Sequence, residues 1–149
     1  MSAHPSINQI YIQAMSNTTF DQEDQQQLWW FLNELHFWSA DLQDMRMRQE
    51  KLETSSVFFA DKYSRKAREC KTLYNATKSR KVAEARKEHK LKGDAIEDFL
   101  YTDDAFLMAR QQRDLSEVLK DLFDKLYWTV VRKHERISDQ QSQNSRQGG

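Results

Sequence analysis

Apolar residues recur every three or four positions from residue 28 to residue 73. Reading this stretch in sevens gives two seam columns, in which eleven of fourteen positions are apolar. The columns are Leu28, Leu35, Leu42, Gln49, Ser56, Tyr63 and Cys70, and Phe31, Trp38, Met45, Leu52, Phe59, Lys66 and Leu73. Such a stripe is typical of a long helix packed along its length, as in a coiled coil. We therefore predict one long amphipathic helix within residues 18–92, with a break near residues 54–56 as the alternative.

Shorter apolar patterns flank this helix. Residues 7–15 place Ile7, Ile10 and Tyr11 on one face, which predicts a short helix within an N-terminal segment of residues 1–17. Gly93 ends the long helix, and the polar residues at 102–104 are typical of a helix start. Residues 93–137 are therefore predicted to hold the C-terminal helices. Residues 138–149 lack large apolar side chains and are expected to be disordered.

The composition favours an all-α fold. The 149 residues include three Gly and one Pro, so few positions interrupt helical hydrogen bonding. We predict a long coiled-coil-like helical hairpin with a shorter C-terminal assembly helix. Such a hairpin leaves aromatic side chains uncovered, and homo-oligomerisation is the simplest way to bury them. The broad apolar face of the last helix predicts that assembly uses Leu115, Leu119, Leu122, Leu126 and Val130.

Charge is segregated along a chain whose formal net charge is zero. Residues 62–92 hold 12 Lys and Arg against three acids, whereas residues 1–61 hold three basic and nine acidic residues. A basic block of this kind creates a strong local positive potential, and nucleic acid is the commonest partner of such a surface. A solvated helix face is the alternative interpretation.

The basic block supplies the candidate nucleic-acid contacts. On a helix, a first cluster of cations, Arg65, Lys66, Arg68 and Lys71, is predicted to crowd one side within two turns. Tyr74 adjoins this cluster, and a ring beside cations can stack a base of a single strand; packing against the protein is the alternative. No pattern suited to reading duplex grooves is present, which predicts little sequence preference. The candidate residues are Arg65, Lys66, Arg68, Lys71, Tyr74, Lys78, Arg80, Lys81, Arg86 and Lys87.

No group of residues matches a catalytic or metal-binding motif. The four histidines are isolated in sequence, and a single internal glycine, Gly93, leaves no Gly-rich phosphate loop. With Cys70 as the single cysteine, neither an intrachain disulfide nor a thiolate zinc cluster can form. We therefore expect a non-enzymatic protein without metal or cofactor. No apolar run approaches the roughly 20 residues that a membrane helix needs, so a soluble cytoplasmic protein is expected.

Short motifs resemble the UvsY family of phage recombination mediators over an arrangement that spans residues 28–137. Lys66-Ala67-Arg68 is similar to the family's Lys-Ala-Arg DNA-contact motif, and the aromatic stretch Leu73-Tyr74-Asn75-Ala76 follows it as in the family. The segment from Phe99 to Leu107 resembles the family's short hydrophobic-Leu-x-x-Asp segment before its last helix. The chain departs from the pattern at Thr77-Lys78, where the family has glycine, and it lacks the Arg-Gly turn inside the last helix.

The resemblance implies a homo-oligomer, in the form of a ring, that binds single-stranded DNA. It further implies displacement of single-strand-binding protein and loading of a RecA-like recombinase, in the host cytoplasm if the chain is a phage protein. The alternative class is a coiled-coil structural or assembly protein, whose basic block would contact an acidic protein surface. A membrane-surface helix is disfavoured, because the block has few large apolar residues to insert.

Overall fold

Five α-helices and one 3-10 turn make up the described part of the chain. The computed structural model describes residues 7–36 and 45–147, with side chains placed at 7–36, 49–136 and 143. The elements are α1 (Ile7–Met15), the 3-10 turn (Gln22–Asp24), α2 (Gln25–His36), α3 (Met45–Lys87), α4 (Asp94–Thr102) and α5 (Asp104–Gln147). No strand occurs in these residues. The predicted all-α class is confirmed, as is the short helix at residues 7–15.

The two long helices, α3 and α5, lie antiparallel at the centre of the fold. Near one end Phe59 packs on Phe123, with ring centroids 5.0 Å apart. Further along α3, Tyr74 packs on Phe106 with centroids 5.6 Å apart. Later residues of α3 therefore meet earlier residues of α5. The helices have 43 and 44 residues, so the prediction of a shorter last helix is wrong.

The prediction of one long helix over residues 18–92 is wrong, because Phe31 of α2 packs on Phe59 of α3 with ring centroids 5.9 Å apart, whereas one straight helix would separate these residues by about 42 Å. Helix α2 ends at His36 and α3 begins at Met45, while the seam residues Trp38 and Leu42 lie outside the described residues. The alternative break at residues 54–56 is also wrong, because α3 runs through that segment. Ser56 is buried there, and its hydroxyl donates to the Glu53 carbonyl oxygen at 2.8 Å. A local bond of this kind lets a serine remain inside a helix.

Buried positions in α3 follow the predicted seam only as far as Tyr63. The next seam residue, Lys66, is half-buried, whereas Ala67 is fully buried. Leu73 is 59% exposed, and the half-buried residue at this level is Tyr74. A step of four residues from Tyr63 to Ala67, instead of three, rotates the buried face by one position. This rotation explains why a strict seven-residue reading fails in the second half of α3.

Most large buried side chains lie at one end of the α3–α5 pair, which we call the packed end. Helix α1, the 3-10 turn and α2 cover this end, where Phe20 stacks on Tyr63 with centroids 5.4 Å apart. The core consists of Ala14, Phe20, Leu28, Phe31, Leu32, Leu35, Leu52, Phe59, Tyr63, Leu119, Phe123, Leu126 and Val130. The N-terminal segment thus completes the core of this end.

The other end, which we call the basic end, comprises residues 68–115: the rest of α3, the connection, α4 and the start of α5. Its buried residues in α3 are small, Thr77 and Ala85, and its buried residues in α4 and α5 are Leu100, Phe106 and Ala109. Among the described residues, no helix is long and apolar enough to cross a membrane.

The start of α5 agrees with the prediction from sequence, but its end does not. Asp103 caps its start, since Oδ1 accepts the backbone N–H of Phe106 at 2.9 Å, as the residues at 102–104 predicted. The helix continues to Gln147, so the prediction of disorder is wrong for the backbone of residues 138–147. Gln and Arg are good helix formers, and no Gly or Pro interrupts this stretch.

The five residues predicted to join copies of the chain divide into two groups. Leu119, Leu126 and Val130 belong to the core of the single chain, so the prediction that they face a second copy is wrong. They share one core cluster with Phe59 and Tyr63 of α3. Leu115 and Leu122 are only half-buried.

Candidate nucleic-acid interface

The basic block of residues 62–92 lies on α3 and the connection after it, and the helix turns its cations in different directions. At about 100° per residue, Lys62 and Lys66 fall on one side of the buried stripe of α3, and Arg68 and Lys71 fall on the other. Lys81 falls within the stripe. The side chains predicted to bind nucleic acid therefore do not form one surface.

The open flank is the name we give to four cations on the second side: Arg68, Lys71, Lys78 and Arg86. All four side chains are exposed. Their spacing places them within an arc of about 80° and along about 27 Å of helix. Within the described part of the chain, none of the four forms an ion pair. The open flank is therefore a linear row of unneutralised positive charge.

Lys62 and Lys66, on the other side, are bound by the acidic turn, the name we give to Asp21, Glu23 and Asp24 at the 3-10 turn before α2. Lys62 Nζ lies 2.7 Å from Asp24 Oδ2, 3.0 Å from Asp21 Oδ2 and 3.2 Å from Glu23 Oε1. Burial lowers the pKa of Lys62, but its hydrogen bonds to the three carboxylates outweigh burial and raise the pKa above its ordinary value. Lys66 Nζ donates to Asp21 Oδ1. That hydrogen bond lowers the pKa of Asp21.

Tyr63, a core residue, holds the acidic turn through hydrogen bonds of its hydroxyl. Its hydroxyl donates to Asp24 Oδ2 at 2.9 Å and accepts the backbone N–H of Asp21 at 3.0 Å. The side chain is 1% exposed, and burial raises the pKa of its phenol. The turn is therefore anchored to the core through Tyr63, not only through surface ion pairs.

Lys81 joins α3 to the start of α5 and does not face solvent as a free cation. Its Nζ lies 2.9 Å from Asp103 Oδ2 and 3.2 Å from Glu84 Oε2. The hydrogen bond to Asp103, followed by that to Glu84, raises the pKa of Lys81. The same contact with Lys81 lowers the pKa of Asp103. A phosphate would have to displace both carboxylates to reach this lysine.

Tyr74, the candidate for base stacking, is half-buried and packed. Besides its contact with Phe106, its ring lies 4.0 Å from the guanidinium carbon of Arg113. Arg113 is itself held by Asp114, with Nη2 2.9 Å from Oδ1. A base could stack on the covered side of this ring only after Arg113 moved. The packing alternative therefore describes Tyr74 in this structure.

The remaining candidates are exposed but separated. Arg65 pairs with Asp61 one turn before it, with 3.3 Å between Nη2 and Oδ2. Arg80 and Lys87 are exposed on the same side of α3 as Lys66, beyond the reach of the acidic turn. The structure thus keeps these three apart from the row of the open flank.

A cleft extends the basic surface into the connection between α3 and α4. It has a volume of about 720 Å³ and is lined by Arg86, Lys90, Leu91, Lys92, Gly93 and Ile96. Lys90 and Gly93 have positive φ angles of 52° and 58°, which let the chain reverse between the two helices. Lys90 and Lys92 therefore lie beside the end of the open flank, although neither was among the candidate contacts.

Among the residues that the structure describes, one group could offer ligands to a metal ion. Glu84, Glu88 and His89 place one ligand atom each within 4.8 Å of one another, near the end of α3. Glu84 already binds Lys81, and the surrounding cations oppose a further positive charge. The absence of a metal remains a prediction.

The sequence left open whether acidic residues near the N-terminus mask the basic block, and the structure pairs Lys62 and Lys66 of this block with the acidic turn. Asp21 and Lys66 are 45 positions apart, so no local spacing connects them. The available signal was the charge segregation itself, because an acidic N-terminal segment and a basic block in one chain attract each other.

No protein-family model matches the sequence, and no curated protein or solved structure matches the chain either. The charged surface of α3 is therefore the basis on which a function can be proposed.

Proposed function

We propose that this chain is a non-enzymatic recombination mediator that binds single-stranded DNA, helps to displace single-strand-binding protein and loads a RecA-like recombinase. The observation that carries the DNA-binding part is the open flank, with its four exposed cations in one row. The recombination part is supported by the resemblance of Lys66-Ala67-Arg68 and the neighbouring motifs to the UvsY family.

The open flank suits contact with the nucleic-acid backbone. Lysine and arginine side chains attract phosphates, and each phosphate neutralised releases condensed counterions, which favours binding at low salt. Such contacts carry no sequence information. A strand held by its phosphates also keeps its bases accessible, as a protein that hands the strand to a recombinase requires. Tyr74 gives no support for a preference for single strands, because its ring is already packed against Phe106 and Arg113. That preference is supported by the family resemblance.

The test is binding of a fluorescently labelled oligonucleotide at several salt concentrations. We compare the parent with an open-flank variant in which Arg68, Lys71, Lys78 and Arg86 are all changed to Gln. Loss of four phosphate contacts should flatten the slope of log K against log salt by up to about 3 for a single strand. The control replaces four exposed cations outside the basic block by Gln, namely Lys51, Lys125, Arg132 and Arg136.

The control changes net charge equally, so a similar loss in both variants would show that overall charge, and not the open flank, governs binding. A duplex of the same length tests strand preference. Equal or tighter binding to the duplex would contradict the single-strand part of the proposal.

We further propose that the chain assembles into a homo-oligomeric ring, with α3 and α5 as its coiled-coil-like hairpin. Support comes from one face of α5 that holds Leu115, Val118 and Leu122. On this face Val118 is exposed and the two leucines are half-buried. Val118→Asp should reduce the particle mass measured by light scattering, because a charge would be buried at the interface. An unchanged mass, or a monomeric parent, would contradict assembly through this face.

The alternative is a structural or assembly protein whose basic surface binds an acidic protein. The contact of Lys62 with three carboxylates favours it, since carboxylates are ligands that this half of α3 accepts within the chain. If the parent fails to bind any oligonucleotide at low salt, the DNA-binding proposal is wrong and this alternative takes its place.

A further inference from the structure

Lys66 belongs to the motif that resembles a DNA contact, yet its ammonium is bound by a carboxylate of the same chain. We infer that Asp21 is an internal competitor of nucleic acid for Lys66, so that the folded chain binds DNA below the strength its basic block would allow. This inference rests on the proposed DNA-binding function and adds a regulatory contact to it.

The competition concerns Lys66 and not Lys62. Lys62 is held by three carboxylates, and its Asp24 partner is buried and also bound by Tyr63. Lys66 has a single carboxylate partner within the described residues. The side chains of Asp21 and Lys66 are 35% and 27% exposed, so water and solutes reach both. Exchange of one partner for another is therefore feasible at Lys66.

The acidic turn does not have to move for this exchange. The backbone N–H of Asp21 is held by the Tyr63 hydroxyl, and the preceding residue, Phe20, is buried against the Tyr63 ring. Asn17 fixes the start of the same segment to α5, since Nδ2 donates to the Leu115 carbonyl oxygen at 2.8 Å. Asp21 is thus a carboxylate in a fixed position. Only the flexible side chain of Lys66 must turn away from it to reach a phosphate.

The effect should be modest, because the ion pair is partly exposed. Pairs of this kind change equilibria by roughly two- to fivefold. When Lys66 leaves, Asp21 keeps Lys62 as a partner at 3.0 Å, so its charge is not left unpaired. Asp21 therefore lowers the affinity for DNA without blocking binding.

The experiment uses Asp21→Asn, which keeps the size of the side chain and removes its charge. We expect it to bind a labelled single-stranded oligonucleotide roughly two- to fivefold more tightly than the parent. The slope of log K against log salt should steepen by up to about 0.7, the value for one added phosphate contact. Asp121→Asn removes one charge from an exposed site on α5 and serves as the control.

A second substitution tests whether Lys66 carries the gain. Lys66→Gln should weaken binding less than Arg68→Gln does in the parent, because Arg68, unlike Lys66, forms no ion pair within the described residues. In the Asp21→Asn background, Lys66→Gln should remove the gain in affinity. Thermal unfolding of each variant establishes that the fold is retained.

The outcomes separate this inference from the proposed function. A parent that binds DNA, with Asp21→Asn no tighter than Asp121→Asn, would overturn the competition and leave DNA binding intact. Should Asp21→Asn fail to fold, equal losses from Lys66→Gln and Arg68→Gln in the parent would overturn it as well. A parent and an Asp21→Asn variant that both fail to bind at low salt would contradict the proposed function itself.

Discussion

The two halves of α3 carry similar cations in different surroundings. At the packed end, Lys62 is bound by three carboxylates of the N-terminal segment, above a cluster of stacked aromatic rings. At the basic end, Lys71 and Lys78 face solvent over buried residues as small as Thr77 and Ala85. In its first half α3 thus uses Lys62 to hold the fold, whereas in its second half Lys81 is paired in this way but Lys71 and Lys78 are presented to solvent.

The surroundings of these lysines differ because different elements cover the two halves of α3. The acidic turn and α2 reach only the packed end. Beyond them Lys81 is paired with Asp103 and Glu84, whereas the cations of the open flank form no ion pair within the described residues. A net charge summed over residues 62–92 therefore overstates the charge available to a ligand, since Lys62, Lys66 and Lys81 are already neutralised. The comparison predicts that packing substitutions at the packed end change stability, and that charge substitutions on the open flank change binding.

The largest effect expected from this comparison is that of Phe123→Ala at the packed end. The Phe123 ring lies 4.8 Å from that of Tyr63 and 5.0 Å from that of Phe59, and the side chain is 1% exposed. Its removal leaves a cavity that the neighbouring rings cannot fill, at a cost of about 3–5 kcal/mol in the free energy of unfolding. Urea denaturation followed by circular dichroism measures this loss.

Leu73→Ala at the basic end is the matched control, because Leu73 is an exposed large apolar residue on the same helix pair. It should change the free energy of unfolding by no more than about 0.5 kcal/mol. A loss from Leu73→Ala as large as that from Phe123→Ala would show that the two ends are equally packed, against the comparison.

Tyr63→Phe tests whether the acidic turn is anchored through the core. The change keeps the buried ring but leaves the Asp21 N–H without its acceptor and removes a donor from Asp24. Loss of a partner from buried polar groups costs about 1–3 kcal/mol. Tyr101→Phe, at an exposed tyrosine of α4, is the control and should be close to neutral. If both substitutions cost the same, the hydroxyl of Tyr63 does not hold the turn.

Apolar periodicity predicted the helical class and the first half of the α3 seam, but it could not locate the helix ends. Residues 37–44, which connect α2 to α3, contain no Gly or Pro that would mark a helix end, and the four-residue step from Tyr63 to Ala67 is visible only from burial. The sequence also could not predict that Leu119 belongs to the core, because an apolar helix face has the same pattern whether it packs on its own chain or on another.

The sequence predicted which segment is basic, but not which of its cations are available together on one surface. Arg68 and Lys71 share one side of α3 and are exposed, but the prediction that Lys66 shares that side with them is wrong. The partners that neutralise Lys66 and Lys81 come from remote residues, Asp21 and Asp103. Long-range pairs of this kind depend on how helices pack, which the spacing within one helix does not contain.

Substitutions of Asp103 separate the contributions of a helix cap and of an ion pair to the stability of the basic end. Its Oδ1 accepts the Phe106 N–H, and its Oδ2 pairs with Lys81. Asp103→Ala removes both contacts and should cost about 1 kcal/mol in the free energy of unfolding. Asp103→Asn retains a good capping side chain and should lose only a few tenths of a kcal/mol. Equal losses would show that the ion pair, and not the cap, stabilises the start of α5.

The smallest expected effect is a difference in acid sensitivity between the two ends. Hydrogen bonds from Lys66 and Lys81 hold the pKa of Asp21 and of Asp103 below the ordinary value of 3.8. As pH falls from about 4, the unfolded chain takes up protons at these carboxylates before the folded chain does, so each contribution is lost towards the folded-state pKa. We expect the melting temperature between pH 5 and pH 2.5 to fall less steeply in Asp21→Asn and Asp103→Asn than in the parent, with the two reductions adding in the double variant. Thermal scans at half-unit pH steps measure the slopes, and Asp121→Asn is the control. A double variant as acid-sensitive as the parent would show that neither carboxylate binds its lysine more strongly in the folded chain.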